Sequence, residues 1–481
     1  MSARTSGTID PTTETAEIKQ SPSQDVSDPY LVTLEPHDNP QNMSRLRRWI
    51  VVLVISSASL CVACASSVAS FTETGAAQTF HVSHEVTILG ISLFVAGLGA
   101  GPLLVGPLSE VYGRNAVYRV SYILFLIFTF PVAFAPNIAV FLLFRLLTGF
   151  CGSAFLSVAG GSVSDMFSNT TVANPMAVYT MSPFIGPVAG PLISGYNVYW
   201  RWTYRVEICW IFVECVMLFT FVPETYVPVI LKRKASRLRK STGNDKYYAP
   251  LDKAEGSLAS AVLVSCYRPF QLLLFDRMAL LLDTWNALLL GILYLAFQAF
   301  PIIFQTKHNF NIEMTGLTFL GKTLIAAQAS FTSRLFAREA AKFDGNPPPE
   351  VRLIMGQVGG VLVPISLFWL AFTTYSHVHW IAPIIASAPF GTGIYFSFTA
   401  TFTYLVTAYR PIAASAMASN SALRSAFAAA FPLFAGAMYD RLGTVGATAL
   451  LAGLTSVMAP LPFIFYRVGA RLRMKSSFAV H

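Results

Sequence analysis

The chain has 481 residues, of which 54% are hydrophobic and only 12% charged, and its mean hydropathy is +0.56. Soluble proteins carry about 25% charged residues, so a set of water-solvated domains is excluded and a bilayer protein is indicated. The formal charge of +9 has the sign a nucleic-acid partner would need, but Lys and Arg gather between apolar runs on one membrane face, which is the positive-inside pattern and argues against nucleic acid.

Residues 1–48 are rich in Ser, Thr, Pro and Asp and read as a disordered cytosolic tail, with no apolar core of a signal peptide. Apolar runs long enough to cross about 30 Å of hydrocarbon follow near 49–69, 86–105, 116–135, 138–160, 176–196, 203–222, 276–300, 314–333, 353–373, 379–405, 412–435 and 446–466. They are expected to be twelve helices in an all-α integral membrane protein. A first half, 49–222, is separated by a basic cytoplasmic linker, 223–275, from a second half, 276–466, and a short basic tail covers 467–481. Two six-helix pseudo-repeats around a central cavity are the arrangement by which many carriers place a site between rocking halves. An even number of spans, with Arg45, Arg47, Arg48, the Lys232–Lys240 cluster and Arg467–Lys475 on one side, sets both termini in the cytoplasm.

Polar residues inside such runs are the candidates for function. Between spans 2 and 3 stands "GPLSEVYGRNAVY". Gly106 is expected to let two helices approach closely and Gly113 to take the positive φ of a tight turn. Arg114 is expected to pair with Glu110 or with the carbonyls that end span 2. Arg145 lies too deep in span 4 to reach the interface easily and shares a face with Thr148, Gly149 and Gly152. Span 5 repeats Pro183, Pro187 and Pro191 with Gly186 and Gly190 interleaved, so that the prolines fall on one face and the glycines permit close packing. Glu207 and Glu214 of span 6 are seven apart and read as structural. On span 7, Asp283, Asn286, Tyr294 and Gln298 fall within roughly 60° either side of one line at about 100° per residue, the pattern of a helix lining a wet cavity. Lys322 aligns with Thr315 and Thr318 on span 8, and Arg424 with Asn420 on span 11. The six cysteines lie in or beside spans, where thiols are inert packing groups, so neither disulfide nor metal site is assigned, and no cofactor.

Taken with "RLLTGFCGSA", "GPVAGP", "WRWTY", "VPETYVPVILKRKASRLRK", "NPPPEVRL", "YRPIAASA", "LRSAFAAAFPLF" and "RVGARLR", the span 2–3 stretch resembles the major facilitator superfamily, and within it the fungal branch of twelve-span drug:proton antiporters, from about residue 36 to the end. The resemblance implies that Glu110 braces a cytoplasmic gate against the start of span 11, at Arg410–Pro411. It implies that the span 5 motif seals the interface between halves and that Arg145 takes part in proton coupling. It also sets span 6 at the periphery and spans 8 and 11 at the boundary of the second half with the first. Glu110 stands where many relatives carry Asp, and Val111 and Asn115 where many carry basic residues.

The leading reading is a proton-coupled exporter of small amphipathic molecules, drugs or fungal secondary metabolites, working as a monomer in the plasma membrane or a vacuolar or vesicular one. Its partners are then a small-molecule substrate, protons and the lipid bilayer. A polyamine carrier would want more cavity carboxylates than Asp283, and a sugar porter Arg/Gly-rich signatures where this chain has "PETY". A receptor on the same fold would want a long signalling tail. An enzyme would want a clustered site, and His377 and His379 are isolated in a loop. Asp283 and Arg145 are the proton-coupling candidates. Lys322 and Arg424 are expected at similar depth, where they would favour weakly acidic substrates.

Overall fold

A computed structural model describes residues 30–167, 171–196, 199–252, 258–319, 338, 348–409, 412–474, 476 and 478–479. Among them the only β pairing is one isolated bridge, Leu31 to Tyr248, and the rest of the regular structure is helical. Helix α1 (Arg45–Ser67) starts at Ser44, whose hydroxyl accepts from the Arg47 amide. Short α2 (Glu73–Phe80) ends at His81, with φ of 54°. Helix α3 (His84–Tyr112) and α4 (Arg114–Ala133) are joined by Gly113 alone. The fourth expected span is three consecutive pieces, α5 (Ile138–Gly152), α6 (Ala154–Ser157) and α7 (Ala159–Met166). Helices α8 (Ala173–Gly195) and α9 (Trp200–Phe221) complete the first half.

The linker contains α10 (Val227–Thr242) and α11 (Leu258–Phe275). Helix α12 (Arg277–His308) is capped by Asp276, which accepts from the amides of Met278 at 2.9 Å and Ala279 at 3.1 Å. Then come α13 (Ile312–Leu317), α14 (Ile354–Phe372), α15 (Ile381–Ala408), α16 (Ala413–Met458) and α17 (Leu461–Arg473).

Eight helical runs among the described residues are long and apolar enough to cross a membrane. The last of them, Ser415–Arg473, has 59 residues, which at about 1.5 Å per residue would span a bilayer almost three times over. It reverses at Gly443, with φ 70° and ψ 171°, a backbone state that a side chain would resist. Spans 11 and 12 are therefore two legs of one hairpin. Helix α9 carries Arg201, Arg205, Glu207 and Glu214. Of the expected span 8, only the beginning, as α13, lies within the described residues.

Contacts sort the helix ends into two faces. Arg48 donates to the Met166 carbonyl, and Arg473 pairs with Glu350, on the face that bears both ends of the helical bundle. On the distal face, Trp200 Nε1 donates to Thr79 Oγ1 at 2.9 Å and Arg201 to the Ala135 carbonyl at 2.9 Å. Residues 30–38, expected in the disordered tail, instead lie on the linker: Val32 is buried with Ala235 and Ala249, and Lys234 pairs with Glu35 at 2.6 Å and Asp38 at 2.8 Å. An apolar contact beneath an ion pair provides what composition alone does not display.

Candidate transport site and gates

The stretch that joins α3 to α4 is held by acids the sequence reading did not select. Gly113 has φ 97°, as its turn requires, and a Cβ there would collide with the Glu224 carboxylate. Glu224 accepts from the amide of Arg114, the first residue of α4, at 2.9 Å, and from those of Thr225 and Tyr226 at 3.2 Å. It thus serves the first unpaired amide and positive end of that helix. The Arg114 side chain does not pair with Glu110, as expected, but with Asp165 of α7 at 3.5 Å and Ser109 Oγ at 2.6 Å, and it stacks on Tyr226. Glu110 is exposed at the end of α3, and Arg410 and Pro411, its expected counterpart, lie outside the described residues. The close approach expected of Gly106 is not seen: among the described residues nothing comes within 4 Å of the place its Cβ would take. The tight crossing is deeper, where Gly97 and Gly101 of α3 meet the backbone of α5 and Ser153, and Gly149 answers with its face against Phe94.

Arg145 is 1% exposed. Its Nε donates to the Gly90 carbonyl at 2.9 Å and both Nη atoms to the Ala65 carbonyl at 3.0 and 3.1 Å, while Phe94 covers the guanidinium at 4.4 Å. An uncompensated cation in hydrocarbon costs several kcal/mol, and these bonds, each worth about 1.5–3 kcal/mol net, offset that. Arg145 therefore ties α1, α3 and α5 together within the first half, with Glu207 of α9 in electrostatic reach.

The α12 stripe differs from a cavity lining. Asp283 is fully buried and accepts from Ser419 Oγ at 2.9 Å and Asn420 Nδ2 at 2.9 Å, both on α16. Tyr294 meets Ser66 of α1 at 2.7 Å, and Gln298 donates to Glu73 of α2 at 2.8 Å. Asn286 alone retains a free amide, with neither side-chain atom bonded among the described residues. The stripe is a seam because a buried polar group without water takes a protein partner when one is in reach. Its periodicity correctly marks a polar face, and only the packing shows what covers it. Asn420 joins Asp283, and Arg424 stands half-buried over Phe402 at 5.1 Å and Phe398 at 5.8 Å, in electrostatic reach of Asp283, Tyr294 and Tyr179. Since Tyr179 belongs to α8, Arg424 sits at the boundary of the halves. Lys322 lies outside the described residues.

Helix α8 uses two faces. Gly186 and Gly190 lie against the α1 backbone at Ala63–Cys64 and Ser67–Val68. Pro191 and Gly195 meet α13, and Phe184 meets Tyr395 and Phe398 of α15. Pro183 and Pro187 stay within an unbroken helix.

A two-half helical bundle with buried polar seams between its halves defines a membrane transporter, and comparison with known proteins agrees. The sequence profile of the Major Facilitator Superfamily matches residues 55–426. The chain is 42% identical to "Efflux pump atB" of Aspergillus terreus over 94% of its own length and 90% of that protein's. It is 42% identical to "Probable drug/proton antiporter YHK8" of Saccharomyces cerevisiae, over 92% and 88%. Its backbone superposes on the xylose transporter XylE of E. coli, in a partially occluded inward-open conformation, with a TM-score of 0.61 at 16% identity, over 88% of this chain and 98% of that one. The chain belongs to the Major Facilitator Superfamily. It has the twelve-span, two-repeat fold and is a transporter, not an enzyme.

Proposed function

We propose that the protein is a proton-coupled exporter of small amphipathic molecules, a fungal secondary metabolite or drugs, that works by alternating access as a monomer. Its termini are cytoplasmic, so the distal face is the outer one, and the plasma membrane is its site. The names of its relatives support export and proton exchange. The observation that carries the mechanism is Asp283: a carboxyl removed from water, held by a hydroxyl and an amide from α16, with Arg424 in reach. Among the described residues Asp283 has no ion-pair partner at bonding distance, and such an acid takes up and loses a proton as its helix pair rearranges; the α12–α16 pair faces the boundary between halves. Asn286, whose amide has no partner among the described residues, is a substrate contact. Glu110 braces the cytoplasmic gate at the end of α3, beside an Arg114 already held by Asp165.

The test uses proteoliposomes with an imposed pH gradient and a panel of radiolabelled or fluorescent aromatic compounds. Asp283→Asn should abolish accumulation against a gradient while leaving substrate binding within about threefold. Undiminished uphill transport by that variant would remove Asp283 from proton coupling, and absence of proton-driven transport in the unmutated protein across the panel would refute the export reading.

A further inference from the structure

The outer ends of the halves meet through an acid that the assignments above leave unused. Glu73 opens α2, two residues beyond the first membrane-crossing run, and is 3% exposed. Its oxygens accept from Gln298 Nε2 of the second half at 2.8 and 3.0 Å. The groups that face it have all been supplied by neighbouring helices. Helix α3 offers His84, whose Nε2 is 3.3 Å from Glu73 Oε2, with Glu85 beside it. Helix α9 offers Tyr204, bonded to Thr72 at 3.1 Å, and Arg201, which stacks over Phe80; Arg145 of α5 lies beyond Tyr204, 5.8 Å from its ring. From α12 comes only the Gln298 amide. Among the described residues His84 alone is within ion-pair distance, and its side chain is 51% exposed.

We propose that Glu73 is a proton-binding site of the outer gate: joining the outer ends takes up one proton on this carboxyl, and opening them returns it. This rests on the reading of the protein as a proton-coupled exporter with its distal face outside. The chemistry favours the neutral acid in the closed form. A carboxylic acid and a primary amide make two bonds, acid O–H to amide oxygen and amide N–H to acid carbonyl, whereas a carboxylate only accepts, and Gln298 can present either atom. Burial pushes Glu73 from its ordinary value of 4.5 up to about 8. In the open form water restores the ordinary value. The closed form then binds more protons, so acid favours closure, and that advantage is lost as pH rises towards about 8. One proton changes the closed-to-open ratio by up to tenfold per pH unit. Acid outside would thus shut the entrance after substrate has left.

The closing motion is measurable without any substrate. Spin labels at His81→Cys and Lys307→Cys, both exposed and on opposite halves, report the outer separation once Cys209, Cys215 and Cys266 are replaced by serine. The closed-to-open ratio should fall five- to tenfold per unit as pH rises between about 5.5 and 7.5. With Glu73→Gln, which keeps an amide partner for Gln298 and cannot ionise, the ratio should stay high and flat. With His84→Gln, which removes a cation able to hold the carboxylate, the dependence should persist. A flat ratio in the parent, or an unaltered slope in Glu73→Gln, overturns the proposal. If Glu73→Gln does not insert, Gln298→Leu takes its place: it should lower the closed fraction at every pH by at least threefold, and no change refutes the latch. A pH-dependent gate without proton-driven export would instead sink the function proposed above and leave this site standing. A flat gate in an active exporter would do the reverse.

Discussion

At the scale of single residues, the clearest lesson comes from two glycines seven positions apart. Gly113 combines φ 97° with a carboxylate where its Cβ would go, while Gly106 is helical and meets nothing among the described residues. Gly113→Ala should therefore incur about 1–2 kcal/mol of backbone strain and also push Glu224 off the Arg114 amide that it serves. Gly106→Ala should be neutral or gain up to about 1 kcal/mol from helix propensity. Thermal unfolding in detergent should show a fall of several degrees for the first and none for the second, and equal falls would contradict this assignment of the turn. Both glycines stand in the same short motif, and the difference between them was only half legible. A glycine before a basic residue at the end of an apolar run signals a turn, but the collision partner, Glu224, lies 110 positions from Arg114. Separation along the chain also hid Asp165. Charges that pair across a bundle are recognisable in sequence as unusual, not as partners.

At the scale of elements, α8 shows what periodicity tells and what it leaves out. Spacing of four sets Pro183, Pro187 and Pro191 on one face, with the glycines offset, and the helix runs unbroken over 23 residues. That Gly186 and Gly190 meet α1, of the same half, while Pro191 and Gly195 meet α13 of the other, follows from packing that no repeat in one helix encodes. At Gly190 the obstructing atoms are the Ser67 hydroxyl and the Cys64 and Val68 backbone, and backbone gives way little. Gly190→Leu should therefore separate α8 from α1 and lower the yield of monodisperse protein severalfold, whereas Gly453→Leu, which meets nothing among the described residues, should not. Comparable yields would mean that the α1–α8 crossing is looser than drawn. The apolar runs themselves were easier to read, because in lipid every backbone group must be satisfied within its own helix. The reversal at Gly443 falls between the expected spans 412–435 and 446–466, whereas the ordered stretch 30–38 was not legible, since it depends on local contacts and not on hydropathy.

At the scale of the whole molecule, the two halves repeat each other in contacts more than in letters. In the first, the Glu224 carboxylate beyond α9 accepts from the backbone amide of Arg114 at the start of α4; in the second, Glu350 just before α14 is paired with Arg473 at the end of α17, at 2.8 Å. In both, an acid ties the start of one helix to the end of another, through a helix-end amide in the first half and a guanidinium in the second, so the sequence motif is lost while the place of the contact is kept. Between the halves, Arg424 is the cation that the described residues set at the boundary, flanked by Tyr179 of one half and Tyr294 of the other and stacked on Phe402 and Phe398. An aromatic anion arriving there meets rings to stack on and a positive charge in low-dielectric surroundings, where attraction greatly exceeds its value in water. Asp283 offsets only part of that charge when ionised. Weakly acidic or phenolate-bearing aromatic metabolites should thus be preferred to cationic dyes. Arg424→Gln should reduce export of an acidic compound about tenfold more than that of a neutral one of similar size, a difference of ~1.4 kcal/mol, while Arg424→Lys, which keeps the charge, should retain most of the preference. Equal losses for both compounds would assign Arg424 to holding α15 and α16 together, and faster export of the acid by Arg424→Gln would refute the electrostatic account.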